Sequence, residues 1–263
     1  LLNKDFVMMA HWGMLGTALA MAGLGAALGG IGGLLGIGGG LLAIPVLALW
    51  FGMDQSMAQG TALVMIVPNV LLAFYRYRQH HTIPLSRALG LGGIAMLASY
   101  PAARLAVGLD HHTLQWVFIG FLLGLCAYLC WLVARPPLAH APQPRVLSAR
   151  YLPVVGVVSG VFSGLFTVGG GLVATPMLVR GFGHRQAAAQ GLALALVVPG
   201  SLIALSAYAS AGQVSWSLGL PMALGGLSTI SWGVACARRL PERWLRSVFI
   251  GFLLVTTALM WPV

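Results

Sequence analysis

Acidic residues are almost missing from this chain: four Asp and Glu stand among 263 residues, against fourteen Lys and Arg. Charge of either sign is scarce at 7%, where a soluble domain carries about a quarter. Hydrophobic residues make up 59% and the mean hydropathy is +0.92, so too few polar side chains remain to cover a surface facing water. A soluble enzyme is excluded, and so is a disordered chain, which needs the opposite composition. Cysteine is scarce as well. Cys126, Cys130 and Cys236 fall inside apolar runs and match neither a metal motif nor a disulfide framework. The four acids, Asp5, Asp54, Asp110 and Glu242, lie in or near the breaks between apolar runs. No carboxylate relay of the kind that marks proton-coupled transporters therefore crosses the membrane.

What the chain has instead is apolar runs of about 20 residues, the length that spans a bilayer, recurring from end to end. The expected fold class is an all-α polytopic membrane protein. A net charge of +10 invites a nucleic-acid partner. The basic residues, however, are scattered in the short breaks where membrane proteins place cytoplasmic anchors, so no nucleic acid is expected. Lys4 followed by Ala18-Leu19-Ala20 has the outline of a signal peptide, but the apolar stretch continues past Ala20 and reads as membrane structure.

The chain contains itself twice. Adding 131 to a position in the first half reaches its counterpart in the second: Gly38-Gly39-Gly40 maps onto Gly169-Gly170-Gly171, Pro45 onto Pro176, Gln59 onto Gln190, Pro68 onto Pro199 and Tyr77 onto Tyr208. Without a gap, residues 25–123 and 156–254 share 36 of 99 pairs. Such internal repeats are how many transporters are built. The domain reading is a first repeat over 1–134, a linker over 135–150 and a second repeat over 151–263. The linker holds Pro136, Pro137, Pro142 and Pro144, which forbid a continuous helix.

Each half divides alike. A Gly-rich arm (13–37 and 151–168) leads to the triple glycine, and a short apolar segment follows (40–52 and 171–183). Three full spans complete the half, at 55–78, 83–107 and 112–134, then 187–210, 214–238 and 244–262. At 1.5 Å per residue the short segments reach roughly 18–20 Å, less than the ~30 Å hydrocarbon core. Charge decides what they do. If arm and short segment cross the membrane together, the basic residues divide evenly between the two sides. If they enter and return, Lys4 and Arg104 lie on one side and the other twelve of the fourteen lie opposite, as the positive-inside rule requires. The expectation is two inverted repeats, each a re-entrant or short helical hairpin plus three spanning helices. It describes an integral protein of a bacterial inner membrane, with both termini periplasmic and the linker cytoplasmic. Trp12, Trp50, Trp116, Trp131, Trp216, Trp244 and Trp261 fall near the expected interfaces; Trp232 does not.

Two hairpins entering from opposite faces bring two glycine tips to the midplane. Each triple glycine opens a half-helix whose N-terminus offers unpaired N–H groups and about half a positive charge. Gly38, Gly39, Gly40, Gly169, Gly170 and Gly171 are thus candidates for holding a small anion through backbone alone. A Cβ added at Gly39 or Gly170 is expected to block the anion and leave the fold largely intact. Gly25, Gly29 and Gly33, with Gly156, Gly160 and Gly164, have the small-xxx-small spacing of helix packing. Pro45, Pro68, Pro176 and Pro199 are expected helix breaks; Pro68 and Pro199 free the carbonyls of Val64 and Ala195. Asn69, beside the first, either contacts substrate or satisfies the broken backbone. Thr61, Thr167, Thr175 and Ser201 are further polar candidates, and Gln59 and Gln190 sit near span ends as gates or caps. His80-His81 and His111-His112 suggest metal ligands but fall on opposite faces, so no metal site is expected.

These motifs resemble the TauE/SafE sulfite-exporter family. The residues that carry the likeness are GGIGGLLGIGGG (Gly29–Gly40), Pro45 and Gln59-Gly60-Thr61-Ala62-Leu63, then GLFTVGGG (Gly164–Gly171), Pro176 and Gln190-Gly191. The second copy departs at Leu192, where the first has Thr61, so the halves differ in their polar groups. The resemblance implies a permease for small sulfur-containing anions, sulfite or organosulfonates; the residues themselves support a small anion. The expected partners are that anion and the lipid bilayer, with a homodimer compatible and no cofactor or catalytic residue called for. Two other readings stay open: a metal-cation transporter, from the paired histidines, and an intramembrane hydrolase, from Ser163-Gly164. The latter lacks the first glycine of a GxSG turn, since position 161 is Val.

Overall fold

The structure is a computed structural model that describes residues 2–35, 38–80, 85–134, 147–167, 169–183, 186–237 and 242–260. Among these there is no strand. Ten helices follow one another: α1 (Leu2–Leu35), α2 (Gly40–Phe51), α3 (Gln55–His80), α4 (Leu85–Gly108), α5 (His111–Ala134), α6 (Leu152–Phe166), α7 (Gly169–Phe182), α8 (Gln186–Ser210), α9 (Trp216–Ala237) and α10 (Glu242–Met260). A single 3-10 turn at Ala149–Tyr151 precedes α6. Among the described residues, six helices are long and apolar enough to cross a bilayer. They are α1, α3, α4, α5, α8 and α9, which include five of the six expected spans. The described apolar stretch of α10 is Ser247–Met260. The first arm, expected at 13–37, is instead a 34-residue helix, more than twice the 15 residues of α6.

The short helices match their expected length, 12 residues in α2 and 14 in α7. In the second half, α6 and α7 form a hairpin that returns to its own starting level. The N–H of Leu147, just before α6, donates to the carbonyl of Gly181 at the end of α7 (2.8 Å).

Glycine seams join the halves. Gly25, Gly29 and Gly33 of α1 abut Met222, Gly226 and Ile230 of α9, so these helices run parallel with backbones in contact. Gly156, Gly160 and Gly164 of α6 meet Leu91, Ala95 and Ser99 of α4 in the corresponding way. Lipid offers no hydrophobic gain for packing one apolar helix on another. Close approach of small residues, with its dispersion energy, supplies the adhesion instead. Large apolar side chains such as Leu97, Leu224 and Trp232 are exposed on the outside of the bundle.

The middle is a crossing of α3 and α8. Gln59 pairs with Tyr208 and Tyr77 with Gln190, so the two repeat-equivalent helices run antiparallel. Several loops meet at one end. Gln55 N–H donates to His111 Nδ1 (2.9 Å), Ser56 to Gln213 Oε1 (3.0 Å), Ser215 N–H to Thr61 Oγ1 (3.0 Å) and Gln115 to the Met260 carbonyl (2.9 Å). The segments after α2, α4 and α8 therefore lie at the same end as the end of α10. At that end Asp110 caps α5, accepting the Thr113 N–H (2.9 Å). Its carboxyl is held below the usual carboxylate range chiefly by that hydrogen bonding to Thr113.

The prolines behave differently from expectation. Helices α2, α3, α7 and α8 continue through Pro45, Pro68, Pro176 and Pro199, so none of these residues divides its helix. Each removes one N–H and frees one carbonyl, and neighbouring helices can shelter such a defect in lipid. The shelter is visible at Pro199. Gly92 of α4 is so near that a Cβ there would lie 2.9 Å from the proline ring and 3.2 Å from the freed Ala195 carbonyl.

Candidate functional site

At the first tip, Gly38 and Gly39 adopt left-handed backbone (φ 73° and 85°), which lets the chain reverse within the few residues between α1 and α2. The Gly38 N–H reaches back to the Gly32 carbonyl (3.3 Å). A Cβ on Gly38 would strike Val70 and approach Ile66, placing this tip beside α3 at the level of Pro68. Helix α2 starts at Gly40 with no side-chain cap, so its first N–H groups have no partner from a capping side chain.

The second tip reaches the same level from α8's side, since a Cβ on Gly171 would approach Val197 (3.3 Å). Here the positive φ falls on a threonine: Thr167, the C-cap of α6, has φ 62°. A β-branched residue in that region costs about 1–2 kcal/mol, and such strain concentrates at functional sites. Three buried hydroxyls, of Ser159, Ser163 and Thr167, have no hydrogen-bond partner among the described residues. A Cβ on Gly170 would lie 3.0 Å from the Ser159 hydroxyl and 3.0 Å from the Ser163 Cβ. The Ser163 hydroxyl would be 3.2 Å from a Cβ on Gly200. Beside it, Ser99 of α4 donates to the Gly200 carbonyl (2.8 Å).

The remaining candidates separate. Asn69 is fully buried with both amide atoms unpartnered, so it does not satisfy the carbonyl freed by Pro68. It packs against Gly226 on α9. Thr61 accepts from the Ser215 N–H at the start of α9 and stands about two helical turns from the tips. Ser201 and Thr175 turn back onto their own helices, to the Val198 and Gly171 carbonyls. Gln59 and Gln190 each accept from a tyrosine of the opposite half, Tyr208 at 2.6 Å and Tyr77 at 3.0 Å. Of the histidines, His111 joins two loops, and His81 lies outside the described residues, as do Arg135 to Val146 of the linker.

The two glycine-led helix starts thus lie level with the α3–α8 crossing, with polar groups at unequal positions around them. Short helices that meet in this way from the two halves of a repeat are a feature of transporters. The family model "Sulfite exporter TauE/SafE" matches residues 21–260. The chain belongs to the TauE/SafE family. A probable membrane transporter protein of Methanocaldococcus jannaschii is 26% identical over 217 residues, covering 78% of this chain and 79% of the relative. One of Xylella fastidiosa is 25% identical over 224 residues, covering 82% and 84%. No solved structure matches the chain. This TauE/SafE member is therefore an integral membrane permease and not an enzyme.

Proposed function

We propose that the permease moves a small sulfur-containing oxyanion, of the sulfite or organosulfonate type, through a midplane site between the two glycine tips. The observation that carries this reading is the placement of both half-helix N-termini at one level, beside Pro68 and Pro199. Each contributes roughly half a positive charge and free N–H donors, enough to replace part of the ion's hydration without a cationic side chain. The family name supplies the sulfur-anion class. Antiparallel α3 and α8 support two inverted halves, and rocking about their crossing would expose the tips to either face. The positive-inside rule then puts the linker in the cytoplasm of a bacterial inner membrane and both termini in the periplasm.

Purified protein in liposomes tests the substrate. Sulfite or an organosulfonate should cross well above the rate of empty liposomes, with divalent metal ions retained. Metal flux without sulfur-anion flux would overturn the proposal. Topology is checked separately with a reporter after Val263, active in the periplasm, and one at His140, active in the cytoplasm. Both on the same side would remove the inverted arrangement.

A further inference from the structure

We propose that Ser159, Ser163 and Thr167 form a hydroxyl cradle at the N-terminus of α7 that takes the oxyanion in its singly charged, proton-bearing form. The inference rests on the permease reading above and specifies the species bound.

In this chain a helical Ser or Thr ordinarily bonds back to a carbonyl three or four residues earlier. Thr17, Thr175, Ser201, Ser228 and Thr257 all do so. Ser159, Ser163 and Thr167 do not, although at most 1% of their surface is exposed. Ser159 and Ser163 stand four residues apart on α6 and so share one face, the one turned to Gly170 at the start of α7, and Thr167, four residues further on, is the C-cap that ends the row. Ser99 strengthens the case. By donating to the Gly200 carbonyl it takes up an acceptor next to Ser163, leaving the Ser163 hydroxyl for another partner. The repeat provides an internal control: the counterparts of the three residues, 131 positions earlier, are Leu28, Gly32 and Gly36. The hydroxyls, and the strained Thr167 that ends their row, belong to one half only.

Their chemistry selects the protonation state. Backbone N–H groups only donate, whereas a hydroxyl both donates and accepts. An O–H on the ion therefore finds an acceptor in the cradle and none at a bare helix start. Charge points the same way. The cost of burying an ion rises with the square of its charge, so a dianion costs about four times a monoanion before any pairing. On the elements packed against α6, which include α5 through the Phe121–Phe162 and Phe118–Phe166 ring contacts, the described charged or titratable side chains are Tyr100, Arg104, His111, His112, Cys126, Tyr128, Cys130, Arg150, Tyr151, Arg180 and Tyr208. The arginines are exposed, and Tyr208 is engaged by Gln59. No carboxylate is among them, and the two histidines stand at the exposed start of α5, more than a turn before Phe118, so the pH dependence belongs to the ligand. A monoanion that carries its own proton also needs no carboxylate relay in the protein.

Thermal-shift titration of the purified full chain tests this with sulfite and with methanesulfonate, a monoanion without an ionisable proton. The half-saturating concentration of total sulfite should rise about tenfold per pH unit above the pH at which hydrogensulfite gives way to sulfite. Methanesulfonate should show no such dependence. Ser159→Ala and Ser163→Ala should each weaken sulfite binding at least fivefold, and Leu28→Ala in the first half should not. If Ser163→Ala fails to fold, Ser163→Thr, which keeps the hydroxyl, and Ser159→Ala decide. Sulfite binding that is independent of pH, or unchanged in the alanine variants, overturns the cradle and leaves the permease reading intact. Failure of both sulfur anions to stabilise the wild-type protein at every pH, together with absent flux, overturns the permease reading itself.

Discussion

Gly39→Ala should leave little or no folded protein, while Gly171→Ala should be recovered at close to the wild-type yield. Gly39 has φ 85°, where an L side chain costs about 1–2 kcal/mol. A Cβ there also runs into the Leu28 carbonyl of α1, a backbone atom that cannot turn aside. Against a total stability of about 5–15 kcal/mol, strain and overpacking together remove a large share. Gly171 is helical, and its Cβ meets only the Val197 Cγ2 at 3.3 Å, which a few tenths of an ångström relieve. Gly170 is intermediate, with the Ser159 carbonyl 2.6 Å from the Cβ position. Detergent-solubilised yield and melting temperature measure the order. The folded Gly171→Ala protein should also lose sulfite stabilisation, because its methyl stands on the first turn of α7 beside the N–H donors. A well-folded Gly39→Ala protein would show that the first turn is looser than its left-handed glycines indicate. The sequence expectation that a Cβ at either tip leaves the fold intact is thus corrected for Gly39. That glycine is needed for the reversal itself, whatever it does for an ion.

Much of the architecture was legible because repetition and charge are global signals. The offset of 131 aligned the two halves, and the basic residues favoured returning hairpins over a single crossing. The Leu147–Gly181 hydrogen bond shows the return in the second half. The glycine seams could be read from i, i+4 spacing, since only small residues let helix backbones touch. Partner choice was not legible. Gln59 and Tyr208 are each repeated in the other half, but their pairing depends on α3 and α8 running antiparallel, so that 59 meets 208 and 77 meets 190. Nothing local to either helix states that. The partner of Thr61 was hidden for a similar reason: its hydroxyl accepts from the Ser215 N–H, 154 residues away. Ser159 and Ser163 did carry a signal, as a hydroxyl every fourth residue running into the triple glycine. It was hidden by the commoner habit of helical serines to bond back to their own helix.

Removing the two crossed tyrosine hydroxyls should shift the protein's conformation in opposite directions. Tyr208 closes onto Gln59 at the end of the α3–α8 crossing where Asp54 and Asp110 lie, and Tyr77 closes onto Gln190 at the other. On the midplane reading proposed above, these two bonds would close the site at its two ends. A helix pair that rocks about Pro68 and Pro199 must break one bond to open that end. A buried hydrogen bond contributes about 0.5–1.5 kcal/mol net, and about 1.4 kcal/mol changes an equilibrium tenfold. Tyr208→Phe should therefore raise the population open at the Asp54 end by up to about tenfold, and Tyr77→Phe that open at the opposite end. The double variant should return the balance towards wild type while lowering the barrier in both directions. Ala58 and Ala189 are repeat equivalents, both fully buried, next to Gln59 and Gln190. With Cys126, Cys130 and Cys236 replaced, a single cysteine at either position reports its own end through thiol labelling. Tyr208→Phe should speed labelling at 58 and slow it at 189, and Tyr77→Phe should do the reverse. Equal acceleration at both positions in either variant would mean that the tyrosines merely hold the bundle together, and the two bonds would not be gates.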